Sequence, residues 1–427
     1  MRLASPLFAV ALLALSTGAT AAPADPQARA VKALTASHAW AVATQTLARD
    51  HDRTVADIVT LTQIPAPPFK EAERAKAYAE MFRAHGLSDV EIDAEGNVLG
   101  LRKGSGKGPV VVLAAHLDTV FPEGVDVTVR REGTKLMAPG IGDDTRSLAV
   151  LLAYVRALDA AKIRTRSDIL FVGNVGEEGP GDLRGVRHLF TQGKYKGRIA
   201  AFFSMDGSDA SRVVTGGVGS KRYRVTFKGP GGHSYGAFGL VTPMAAMAKA
   251  VVGLYAVEPP TSPKTTYSAS VTGGGTSVNS IPNEVWTEFD MRSEDAGELA
   301  SLETRFKAIV EESVEAENKA RSTRYGPVSA VYTLIGDRPA GRTPQEAAIV
   351  RATTAAIRAQ GFTPELEASS TDANLPMSLG IPAVTIGSGG SGGRAHALDE
   401  WIDVAPEASL RGMQVGLAAL LATAGVR

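Results

Sequence analysis

The chain has 427 residues, 44% of them hydrophobic, and its 45 basic side chains balance 45 acidic ones. That length predicts two compact units with real cores, and the even charge removes the electrostatic footprint of a protein that binds nucleic acid or an anionic membrane surface. With no cysteine, disulfides are excluded and any metal must be held by His, Asp and Glu.

The first residues, MRLASPLFAVALLALSTGATAAPADP, carry Arg2, an apolar stretch over 7–15 and the small-residue site Ala19-Thr20-Ala21. This is a secretory signal pattern. Residues 1–21 are expected to be a signal peptide, and the mature chain to be soluble and secreted or periplasmic, since no later segment reaches roughly 18 uninterrupted apolar residues. From about Thr54 helical and strand patterns alternate. EAERAKAYAEMFRAHG predicts an amphipathic helix over 71–86, closed by a glycine. Four short apolar runs follow, at 110–115, 168–175, 199–205 and 381–387, separated by helical stretches such as SLAVLLAYVRAL. Such runs are the signature of parallel strands buried on both faces.

Between about Ser220 and Leu334 the pattern changes to alternating strands, KRYRVTFKG, TTYSASV, EVWTEFDMR and VSAVYTL, with helical stretches after Pro243 and from Ala296 to Glu317. The order strand, helix, strand, strand, helix, strand matches the split ferredoxin-like unit. The expected architecture is therefore α/β. A catalytic domain with a mostly parallel mixed sheet flanked by helices (22–215 and 335–427) is interrupted by an inserted ferredoxin-like αβ lid or dimerisation domain (216–334).

Each of the four buried strands runs into polar residues. The first gives His116 and Asp118, the second Glu177 and Glu178, the third Asp206, and the fourth leads through GSGGSGGRA to His396. GIGDDTRS adds Asp143 and Asp144 before an apolar helix. Sites in open α/β sheets form beyond the carboxyl ends of parallel strands, so these scattered residues are placed to meet. Two histidines with several carboxylates and no thiolate suit zinc, cobalt or manganese. A carboxylate bridging two cations offsets their repulsion, and water on such a metal loses a proton near neutral pH. Neighbouring side chains of an extended segment point in opposite directions, so one of Glu177 and Glu178 can ligate metal while the other faces the water. Asp118, two residues beyond His116, is expected on the same side as an acceptor that aims the imidazole.

HLDTV, GIGDD, VGEEG, MDG and GRAHALDEW, with GPGGHS inside the inserted unit, resemble the two-zinc metallopeptidases and deacylases. That superfamily includes peptidase T, carboxypeptidase G, succinyl-diaminopimelate desuccinylase and aminoacylase. The resemblance spans the mature chain in order. It implies His116 and Asp206 on one divalent metal, Glu178 and His396 on the other, and Asp143 bridging both, with a cis bond to Asp144. Glu177 would be the general base and then acid. His233 would polarise the scissile carbonyl, often from a partner subunit. Asn279 and Arg292 resemble substrate-binding positions of the lid. SSTDANLP, with Thr371 and Asp372, and the following GSGGSGG, with Gly389, resemble the glycine-rich substrate loop.

Many relatives carry a lysine where this chain has Thr145. Relatives with aspartate at the position of Asp206 tend to be amino-, di- and tripeptidases, whereas carboxypeptidases and deacylases tend to carry glutamate there. The expectation is thus an exported zinc-dependent exopeptidase acting on di- or tripeptides, homodimeric through the inserted domain. An N-acyl amino acid deacylase or carboxypeptidase is the alternative, and a non-catalytic metal- or peptide-binding protein a third reading.

Overall fold

The four apolar runs form the centre of a nine-stranded sheet in the computed structural model, which describes residues 25–106 and 108–426. The signal-peptide expectation lies outside the described residues. Asp168–Asn174, Val110–His116, Ile199–Met205 and Ala383–Ile386 lie side by side and parallel. Val110–His116 is buried along its whole length, as a strand covered on both faces must be. Antiparallel strands extend the sheet at its margins, with Val98–Arg102 and Ser88–Ile92 on one side and Arg212–Gly217 on the other.

Helix Arg146–Ala160 buries twelve of its fifteen residues and, with Pro406–Ala424, forms much of the main core. Helix Ala72–Ala84 buries Arg74, a costly placement that is offset by three acceptors: the carbonyls of Thr62, Ile64 and Leu117. Three helices the sequence reading did not separate, Pro26–Thr35, His38–Arg49 and His51–Thr62, precede it. Asp25 and Ser37 cap the first two, and Trp40, Leu47 and Leu61 bury against the core. Among the described residues no helix is long and apolar enough to cross a membrane.

The second sheet occupies Gly219–Arg338, against the 216–334 expected from the change of pattern. Its order is Thr265–Gly274, Glu284–Ser293, Gly219–Lys228, Ser329–Arg338, with every neighbour antiparallel. Strand Glu284–Ser293 alternates strictly between buried and partly exposed residues. One face therefore packs under helices Pro243–Tyr255 and Ala296–Ala320 through Val225, Phe227, Phe289, Met291 and Phe306, and the other face carries no helix among the described residues.

Candidate metal centre

The parallel register fixes where the polar strand ends meet. His116 pairs with Asn174 across the ladder, so the chain segments leaving both strands emerge at one level, beside Asp206 at the end of the third. His116 is buried, and its Nδ1 lies 3.0 Å from the backbone oxygen of Asp118 while Nε2 lies 2.9 Å from Asp143 Oδ1. The carbonyl takes the Nδ1 proton, so Nε2 meets the Asp143 carboxylate either as a protonated donor or, with a cation between the two, as a neutral ligand.

Asp118 does not orient the imidazole through its side chain, as the spacing suggested. Its carboxylate accepts the amides of Glu177 (3.1 Å) and Glu178 (2.8 Å), and its nearest oxygen is 3.8 Å from His116 Nδ1. The strand ends at His116, so the extended geometry that puts residues i and i+2 on one side no longer holds at Asp118. Its buried charge instead fixes the segment that carries the two glutamates.

Those glutamates diverge. Glu178 Oε1 is 2.9 Å from His396 Nε2, which is also 3.2 Å from Asp143 Oδ2. Glu177 Oε1 accepts from Arg338 Nη1 at 3.1 Å, and the same guanidinium reaches Ser370 Oγ and the Glu177 carbonyl. Potential ligand atoms of His116, Asp143 and Asp206 lie within 4.8 Å of one another, as do those of Asp143, Glu178 and His396, and a third such group joins His116 to Glu177 and Glu178. Asp143 is common to the first two groups, and its peptide bond to Asp144 is cis.

The electrostatics are those of a crowded anionic site. Burial and the neighbouring Asp143 push the Asp206 carboxyl up to about 6. Burial also works against ionisation of Asp143, but hydrogen bonds from His116 and His396 pull its carboxyl well below the usual range. Glu177 is driven well up by burial; Arg338 opposes this and Glu178 adds to it. Cations would relieve this crowding, and the nitrogen and oxygen donors fit two divalent ions sharing Asp143.

The loop holding Asp143 is itself clamped by Glu400, whose carboxylate accepts the amides of Gly140 (2.9 Å), Gly142 (2.7 Å) and Asp143 (2.8 Å). Gly140 sits at φ 75°, a conformation that favours glycine. Thr145, at the position where the resemblance implied lysine, is buried and bonded to the Gly140 carbonyl and to Thr62 Oγ1. The chain therefore fills that place with a neutral hydroxyl bridge to helix His51–Thr62.

A cavity of about 600 Å³ opens above these residues; Asp143, Glu177, Glu178, Asp206 and His396 line it, with Arg292 and Thr371 among the remaining wall. Other expected substrate contacts lie elsewhere. Asp372 is buried outside the wall, accepting from Asn174 Nδ2 at 2.7 Å, and burial pushes its carboxyl up to about 7. Gly389 packs against the backbone of Gly412 and Met413, so its missing side chain serves helix packing and not the cavity. His233 and Asn279 are exposed on a two-stranded ribbon of the inserted unit, where Gly232–His233 pairs with Ser280–Ile281, and neither lines the cavity of its own chain. Gly392 and Gly393 do line it, from a short strand paired with Trp401–Asp403.

Sequence reasoning missed Glu400, Arg222 and Arg338. Glu400 stands in the quoted GRAHALDEW, but nothing in the sequence ties it to Gly140, 260 residues away. Strand alternation puts Arg222 on the polar face of KRYRVTFKG, without saying that this face closes on a cavity.

Residues 112–422 match the model of Peptidase family M20/M25/M40. The chain belongs to that family. Among curated proteins it is 34% identical over 128 residues to a putative [LysW]-lysine/[LysW]-ornithine hydrolase of Pyrococcus abyssi, covering 30% of this chain. The chain spans about a third of the length of this relative, 34%. It is 25% identical to the succinyl-diaminopimelate desuccinylase of Leptothrix cholodnii over 60% of this chain and 67% of that one. The fold is similar to that of aminopeptidase PepT from Bacillus cereus, with a TM-score of 0.70, 20% identity, and 88% of this chain and 99% of that one covered. It is also similar to the di-peptidase Dug1p from Saccharomyces cerevisiae, with a TM-score of 0.68, 16% identity, and 90% and 98% covered.

Proposed function

We propose that the chain is an exported exopeptidase that hydrolyses short peptides, di- or tripeptides with a free amino end, at a site holding two divalent ions, zinc first among them. The observation that carries the reading is the pair of donor groups sharing Asp143, with Glu177 beside them and not needed by either. His116 and Asp206 would hold one ion, Glu178 and His396 the other, and Asp143 both. When bound, the ions supply Lewis acidity for the scissile carbonyl and acidify a water.

The chain's own groups do the rest. Asp118 and Glu400 fix the two loops that present the ligands. Glu177 has one oxygen committed to Arg338, which leaves Oε2 to collect the proton of the attacking water and return it to the leaving amine. Burial that raises its carboxyl suits a group that must both accept and donate a proton near neutral pH. His233 from a second copy would complete the site, since it is exposed and outside the cavity of its own chain.

Family membership and the match to a desuccinylase keep one competitor, a deacylase with the same machinery. Turnover of a free dipeptide compared with an N-acetyl amino acid separates them; a clear preference for the acyl substrate overturns the peptidase reading. Glu177→Ala is expected to keep its metal and lose hydrolysis, whereas His116→Ala loses metal as well. Undiminished turnover by Glu177→Ala refutes the role given to Glu177. Export is tested by N-terminal sequencing of the mature protein, which should begin near residue 22.

A further inference from the structure

The helix-free face of the inserted sheet meets the cavity at one end, and three adjacent strands each deliver an arginine there. Arg292 and Arg338 both stand opposite Ser220 in register, on either side of it, and Arg222 follows Ser220 by two residues on the same face. All three arginines line the cavity.

Two carboxylates accompany them. Asp290 accepts from Arg222 Nε at 3.1 Å and from Arg292 Nε at 2.7 Å, while Glu177 takes Arg338. Asp290 is not part of the cavity wall, so it holds the Nε edges of two guanidiniums from behind. Their terminal nitrogens are left for the cavity, apart from a 3.5 Å approach of Arg222 Nη1 to the Gly179 carbonyl. Burial, with Arg338 and Arg292 nearby, lowers the pKa of Arg222 although Asp290 opposes this. Between the arginines, Ser220 is buried and its Oγ has no hydrogen-bond partner among the described residues.

A guanidinium and a carboxylate form a bidentate pair, and one substrate carboxylate can serve only one of the two forks that share Asp290. The second fork would then stay partly desolvated with half a counter-charge. We propose that this arginine face seats an acidic residue, aspartate or glutamate, on the carboxyl side of the scissile bond. Arg292 takes the terminal carboxylate, and Arg222, with Ser220 beside it, takes the side-chain carboxylate. The assignment rests on the exopeptidase reading for the bond cleaved, but the seat itself would serve any leaving amino acid with two carboxylates.

The test uses the zinc-loaded full chain and the isosteric pair Ala-Glu and Ala-Gln. Ala-Glu is expected to have a kcat/KM at least about tenfold higher, and free glutamate to inhibit at about tenfold lower concentration than free glutamine. In Arg222→Gln the ratio of the two kcat/KM values falls toward one, with Arg222→Lys intermediate; metal content and melting temperature show that each variant has folded. Equal kcat/KM values in the wild type, or an unchanged ratio in a folded Arg222→Gln, overturns the acidic seat and leaves the exopeptidase reading standing. If neither dipeptide is cleaved but N-acetylglutamate is cleaved in preference to N-acetylglutamine, the exopeptidase reading fails and the acidic seat stands.

Discussion

His116 spends one ring nitrogen on a carbonyl and turns the other to Asp143, an arrangement that wants a neutral imidazole and a cation between the two. His396 likewise turns Nε2 to two carboxylates, those of Asp143 and Glu178, as a ligand to a shared cation would. Removing metal leaves Asp143, Glu178 and Asp206 facing one another, their charge offset by these histidines and by Arg212 near Asp206. Chelation is therefore expected to lower the melting temperature of the wild type, because a ligand bound only by the folded state adds its binding free energy to stability. His116→Ala, which loses one of the two ion sites and keeps the group of Asp143, Glu178 and His396, should show a smaller chelator-induced fall.

Far from this site, His85 carries the opposite electrostatics. Its Nε2 lies 2.9 Å from Arg156 Nη1 and its Nδ1 2.6 Å from the Met81 carbonyl, so the ring must accept from arginine and donate to the carbonyl. Burial first, then the two arginines, lower its pKa. The unfolded chain, with histidine near 6.5, then binds the proton more readily than the folded one. Stability from His85 is present above about pH 6.5 and is lost as pH falls toward the depressed folded value. His85→Gln keeps both hydrogen-bonding partners without titrating. The stability difference between wild type and variant, from urea denaturation, should therefore move in the variant's favour between about pH 7 and pH 5.

Among the elements, the contact between helix Pro406–Ala424 and the glycine loop leaves almost no room. A Cβ built on Gly412 would lie 2.3 Å from the Cα of Gly389, backbone against backbone, so neither side can rotate away. Gly412→Ala is expected to cost about 1–3 kcal/mol in denaturant unfolding, as overpacking does. The four central strands were legible in the sequence because burial on both faces leaves continuous apolar runs. The same logic made the strand ends, and so His116, Glu177, Glu178, Asp206 and His396, readable as one site, with Asp143 added from the loop before the apolar helix. Strand Ser88–Ile92 was not legible: it lies at the margin of the sheet, half-buried without alternation. Helices Pro26–Thr35 and His38–Arg49 are rich in alanine and threonine and bury only two and four residues, too faint a stripe to stand out. Arg338 escaped because its partner Glu177 is 161 residues away, and no local pattern marks an ion pair of that span. The carbonyl of Asp118 took the place expected of its carboxylate for a different reason, the end of the strand two residues before it.

At the scale of the whole molecule, the inserted sheet has an edge strand that no further strand pairs among the described residues. Thr265–Gly274 is paired on one side only, and exposed apolar side chains flank it: Val271 on the strand, and Val252 (71% exposed) and Tyr255 (56%) on the neighbouring helix. An open edge with an apolar margin favours pairing with a second copy, and a two-fold axis would join the two sheets edge to edge. The same unit carries His233 on its exposed ribbon, with Tyr235 and Phe238 beside it almost fully in solvent. If dimerisation brings that ribbon over the partner's cavity, each site needs two chains. Sedimentation should then give twice the mass of one chain for the wild type and one chain for Val271→Glu, with hydrolysis lost in the monomer. Glu177→Ala and His233→Ala should each be inactive and still dimeric. Mixed and allowed to exchange, they should recover activity, because a mixed dimer has one site with both an intact Glu177 and a partner's intact His233. Random exchange makes half the dimers mixed, each with one working site of two, so the recovered activity should approach about a quarter of wild type. No recovery from a mixture shown to contain mixed dimers would place His233 outside the partner's site.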